Sequence, residues 1–143
     1  MLALQASLVN LGKARLLLHK CHAARTVFRD AVRIIRTKLA YDHIRVAEIQ
    51  SQIGYLLFEA GDVHSALNAF ADALAVYRSL LVNDEMNTLF KVGVSEALCN
   101  IGSIHLEQRN FDPAIDCFLE ALQVSRSVSA VSQSMVASSS HVF

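Results

Sequence analysis

The chain has 143 residues, 53% of them hydrophobic and only 18% charged, and it carries no net charge at pH 7. Such a composition excludes disorder over most of the length and gives enough apolar material for one core. A single Pro and five Gly suit an almost wholly helical protein, since both are unfavourable inside helices.

The elements follow from hydrophobic spacing and turn residues. A first helix is expected from Leu2 to Leu18, with Leu4, Leu8, Leu11 and Arg15 on one spacing. A turn around His19–His22 leads to a second helix, Ala23 to Leu39. After the link Ala40-Tyr41-Asp42-His43 comes a third, Arg45 to Glu59. Ala60-Gly61-Asp62 reads as a turn in which Gly takes the positive φ and Asp caps the next helix, Val63 to Leu81. A fifth helix ends near Gln108. There Arg109-Asn110 replaces the turn glycine, with Asn expected to take its conformation. Asp112-Pro113 is expected to open the sixth helix, as a cap followed by Pro in the first turn. From Ser125 the chain is Ser-rich. Val124, Val128, Val131 and Met135 keep helical spacing, so the sixth helix is expected to extend as a cap before residues 138–143 fray.

Three of these stretches repeat one another. Gly12 is followed by Ala24, Phe28 and Ala31, Gly54 by Ala66, Phe70 and Ala73, and Gly102 by Ala114, Phe118 and Ala121. The steps are 12, 4 and 3 residues each time. Self-similarity of this kind marks a solenoid, whose units cannot bury their apolar faces alone. Mid-helix Gly costs about 1 kcal/mol relative to Ala. Three at equivalent places therefore imply close approach of the partner helix, with the alanines facing the glycines and the Phe rings filling the wedge between units.

These positions resemble the signature of the tetratricopeptide repeat. The resemblance implies an all-α, right-handed solenoid of three helix-turn-helix units at about 2–40, 44–82 and 88–126. A tail at 127–143 would be a partly helical cap and then disordered. The glycines are 42 and 48 residues apart, longer than the usual period of about 34. With the link Lys38 to His43 before Val46-Ala47, the chain is similar to the longer kinesin-light-chain-type repeats. The second link, Val82 to Met86, lacks that match and brings six extra residues.

Domains of this family bind short peptide segments of partner proteins in a concave groove. The resemblance places Asn10, Lys13, Glu48, Gln52, Tyr55, Glu96, Asn100 and Ser103 in that groove. Ala6, Val9, Leu17, Ser51, Glu59, Cys99 and Glu107 hold further groove positions. Asn10, Gln52 and Asn100 form a ladder of amides, which offer both donors and an acceptor to a peptide backbone. The groove glutamates are opposed by Lys13 alone, which favours neutral or basic peptides over acidic ones. The clamp by which related domains hold acidic chaperone tails is absent: Val9, Lys13, Tyr55, Cys99 and Ser103 stand at its positions.

Charge is distributed unevenly along the chain. Residues 1–42 carry a net +6 and the remainder −6, and the alternative function is a structural one, a self-associating or truncated solenoid that acts through its ends and this charge asymmetry. Arg25, Arg29, Arg33 and Arg36 recur at spacings of 4, 4 and 3 on one helix face, either solvated or a docking stripe for an acidic partner.

No enzyme chemistry, metal or cofactor is expected. His19, Cys21 and His22 lack the second ligand pair of a zinc site, and Cys99 and His105 fall on opposite sides of a helix. No phosphate loop or nucleophile elbow is present. RNA-reading helical repeats carry a different signature, and the acidic part of the chain suits phosphates poorly, so nucleic acid is not expected either. No apolar run approaches the ~20 residues that span a bilayer. The three cysteines read as buried, reduced thiols of an intracellular protein. The expected location is cytoplasmic, with mitochondrial as the alternative because the first 29 residues contain no acid.

Overall fold

In the computed structural model the backbone is described over residues 2–17, 21–38 and 44–140, and side chains over 3–14, 26–34, 37–38 and 44–130. Among the described residues there are six helices and no strand: α1 Leu2–Leu17, α2 Cys21–Lys38, α3 Ile44–Glu59, α4 Val63–Asn83, α5 Thr88–Glu107 and α6 Phe111–Ser140. The chain divides into two compact units, Met1–Leu80 and Leu81–Phe143.

In the first unit α1 packs on α2, and α2 packs on α3. The repeat glycines explain how the helices of a pair come so close. A Cβ added to Gly54 would lie 2.9 Å from Cε1 of Phe70 on α4, and one added to Gly12 would overlap the Phe28 ring on α2. Each ring lies over the glycine of its own repeat and is buried. The Phe ring that the spacing puts between units thus seats on the glycine of its own pair, as a Gly–Phe joint. Ala31, Ala66 and Ala73 are fully buried beside these joints.

Among the described residues of α1, Gln5, Val9 and Gly12 are buried. Leu4 and Leu11, read as part of the apolar face, are about half exposed. Their equivalents in α3, Val46 and Ile53, are buried. The joint at Gly12 turns the α1 face toward Phe28.

In the second unit α5 and α6 form a helical hairpin with the same joint: a Cβ on Gly102 would meet Cε1 of Phe118 at 2.9 Å. A seam of hydroxyls supports it. Ser95 Oγ donates to the Ala121 carbonyl at 3.3 Å and lies 2.9 Å from Ser125 Oγ, and Lys91 Nζ donates to Ser127 Oγ at 2.7 Å. The six extra residues before this repeat are taken up mainly by helix. Measured from the repeat glycine, α4 ends three residues later than α2, and α5 starts four earlier than α3.

Helix ends follow local chemistry. Asp62 Oδ1 accepts from the Ser65 N–H at 3.2 Å, and Asn87 Oδ1 accepts from the Phe90 N–H at 3.1 Å, satisfying donors that the helix cannot pair. Gly61 takes φ +88° at the α3–α4 turn. At the α5–α6 turn Arg109, not Asn110, takes φ +61°. Register decides this, because both residues stand seven after the repeat glycine. The bonds Asp62 N–H to Leu57 O and Asn110 N–H to His105 O close the two turns in the same way. α6 begins at Phe111, so Asp112 lies in its first turn and Asn110, not Asp112, precedes the helix. The helix then continues unbroken to Ser140, well beyond residue 126.

Candidate peptide-binding groove

The face of α1 bearing Gln5, Ala6, Val9 and Asn10 meets the face of α3 bearing Arg45, Glu48, Ile49 and Gln52 around a hollow of about 250 Å³. These spacings of three and four put each set on one side of its helix. Of the expected groove residues, Asn10, Glu48 and Gln52 come together here, with Ala6 and Val9. Lys13 is exposed but does not line the hollow, and neither does Tyr55, which is 55% exposed on α3. Glu96, Asn100 and Ser103 share a face of α5 in the second unit, Asn100 half-buried and the other two exposed.

Two residues in the hollow change its chemistry. Arg45 Nη1 donates to Glu48 Oε2 at 3.0 Å, so the glutamate read as an open acidic site is paired and the hollow is nearer neutral. Gln5 is 3% exposed, and its Oε1 has no hydrogen-bond partner. A buried amide oxygen without a partner costs about 1–3 kcal/mol, which a ligand donor would recover. The wall thus carries three carboxamides, Gln5, Asn10 and Gln52.

Gln5, Arg45 and Ile49 line the hollow without being expected from the repeat positions, and the two polar ones had a signal. Gln5 stands seven before its repeat glycine, where α3 has the fully buried Ala47. Arg45 precedes Glu48 by three residues, a spacing at which helical side chains pair.

Of the arginine stripe, Arg29 and Arg33 are exposed on α2, and Arg33 Nη2 approaches Asp30 Oδ1 at 3.7 Å. The side chains of Arg25 and Arg36 lie outside the described residues, as do those of His19, Cys21 and His22. Among the described residues no cluster of His, Cys, Asp and Glu could hold a metal ion. Cys99 is exposed and Cys117 half-buried, which corrects the expectation of buried thiols. Cys99 stands three before Gly102, on the outward side of α5. No helix among the described residues is long and apolar enough to cross a membrane.

Fold and groove define a helix-pair repeat protein of the α-solenoid class. The tetratricopeptide-repeat family model matches residues 4–79 and a second one matches residues 95–127. The chain belongs to the tetratricopeptide repeat family, and it is accordingly a protein–protein interaction module. No curated protein matches the sequence. Among solved structures it is similar to BtubC (BKLC) from P. vanneervenii, with a TM-score of 0.69 and 22% identity. That match covers 87% of this chain and 48% of the other, so the chain spans about half the length of that relative. The likeness is one of fold.

Proposed function

We propose that the chain binds a short extended segment of a partner protein in the α1–α3 groove, gripping its backbone through Asn10, Gln52 and Gln5. The observation that carries this reading is the unpartnered Gln5 amide oxygen among two further carboxamides in an open hollow. Carboxamides donate and accept at once, so they pair with peptide groups whatever the side chains. The Arg45–Glu48 pair makes a neutral segment the best match, with basic ones next and acidic ones last. Lys13 and Tyr55 flank the hollow along their helices. In the second unit Glu96, Asn100 and Ser103 hold the equivalent register positions on α5. The binding needs no metal or cofactor.

The test is selection from a displayed library of random decapeptides, followed by calorimetry. Asn10→Ala/Gln52→Ala should weaken the selected peptides about tenfold or more while helicity is unchanged. Equal affinity for both proteins would remove the groove from the account.

A second reading, self-association, rests on a separate observation. Phe111, Ile115, Leu119 and Leu122 lie along one face of α6 and are 46–60% exposed. Contiguous apolar surface of this kind marks an interaction site. Sedimentation at rising concentration tests it: Ile115→Ser/Leu119→Ser should abolish any concentration-dependent species. A monomer at all concentrations rejects the reading.

A further inference from the structure

We propose that the first unit carries a second site, distinct from the α1–α3 groove, that captures the C-terminus of a protein ending in an apolar residue. A hollow of about 570 Å³ opens between α2, α3 and α4, within the usual range of ligand sites. Val32, Ile53 and Leu57 give it an apolar floor, and Arg29 and Arg33 stand on its α2 wall.

Gln50 identifies the hollow as a binding site. It lines the hollow, is 2% exposed, and its Oε1 has no hydrogen-bond partner. Four residues before the repeat glycine, the first repeat has Leu8 and the third has the buried Leu98. A core position that is Leu in two repeats is therefore a buried, unsatisfied amide in the one that borders this cavity. Such a group is destabilising unless something pairs with it.

The three chemistries specify one occupant. An apolar side chain fits the floor. A peptide group satisfies Gln50 whichever way the carboxamide is turned, since it offers both N–H and C=O. The terminal carboxylate suits Arg29 and Arg33, because guanidinium groups bind carboxylates in matched geometry. The Arg33–Asp30 contact is exposed and long, so it competes weakly. Asp72 also lines the hollow, from α4, and has an interaction of its own.

The experiment is a titration of the full chain, labelled with ¹⁵N, with acetyl-Gly-Gly-Ser-Leu, its C-terminal amide and N-acetyl-leucine. The free-acid peptide should give saturable shifts in residues 28–37, 50–57 and 65–72. Its amide should bind about tenfold more weakly. Gln50→Leu, which installs the residue of the other repeats, and Arg29→Ala/Arg33→Ala should each weaken the acid to a similar degree. Gln52→Ala, in the groove, should leave this binding unchanged, so the two sites fail independently. No saturable shifts, or equal binding of acid and amide, would overturn the site. N-acetyl-leucine binding as tightly as the peptide would overturn a protein end as its occupant.

Discussion

The two units use one joint and surround it differently. In Met1–Leu80, Phe28 and Phe70 are buried against their glycines, and Leu74 is only 8% exposed. In Leu81–Phe143 the equivalent Phe118 is half-buried, and Leu122, the counterpart of Leu74, is 46% exposed. The first unit also places polar amides, Gln5 and Gln50, at buried positions, whereas the second has Ser95 and Leu98 there. Ser95 is bonded to α6, and Leu98 has nothing to satisfy. The hairpin thus leaves apolar surface uncovered, and the first unit leaves hydrogen bonds unmade. Each omission points to a different kind of partner: apolar surface to another apolar face, and unpaired amides to a peptide.

The comparison is sharpest at the phenylalanines. Phe70→Ala should cost about 3–5 kcal/mol, the range for removing a buried aromatic, and Phe118→Ala roughly half of that because its ring is partly solvated already. Urea unfolding of the two variants measures both. Equal losses would mean that the Phe118 ring is as well covered as that of Phe70.

Next comes the joint itself. Gly54→Ala adds a methyl 2.9 Å from the Phe70 ring, and forcing such contacts costs typically about 1–3 kcal/mol. The helix propensity gained by Ala, about 1 kcal/mol, offsets only part of this. A neutral result in thermal unfolding would show that the ring moves aside freely.

The smallest effect separates the two turns. Arg109 holds a left-handed conformation that an L side chain adopts at a cost of about 1–2 kcal/mol. Arg109→Gly should therefore raise stability by about 1 kcal/mol or less. Gly61→Ala should lower it similarly, although a Cβ there has open space around it. Paired melting curves give both signs, and like signs would refute the equivalence of the turns.

Most of the fold was legible because it depends on spacing. The Gly, Ala and Phe steps place the joints, and helix ends fell within a residue or two where a glycine or a capping Asp marked them. Arg109 was misread because residue preference was followed where register decides: the seventh residue after the repeat glycine turns, whatever its side chain. α1 was misread because a leucine spacing shows which residues are apolar but not which side has a neighbour. The lining of the α1–α3 hollow was legible in part. Asn10, Glu48 and Gln52 follow from repeat positions. The pairing of Glu48 by Arg45 depends on side-chain reach, and the isolation of the Gln5 oxygen depends on what surrounds it. Neither is a property of spacing. Gln50 differed visibly from Leu8 and Leu98, but only the cavity beside it gives that difference a meaning.

The claim that the groove carboxamides grip a peptide backbone is tested most directly by the side-chain NH₂ resonances of Gln5, Asn10 and Gln52. A library-selected peptide should shift all three signal pairs with one common affinity, and N-methylation of its central backbone amides should abolish the effect. If those signals stay fixed while the peptide binds, recognition happens elsewhere on the molecule and the groove assignment is wrong.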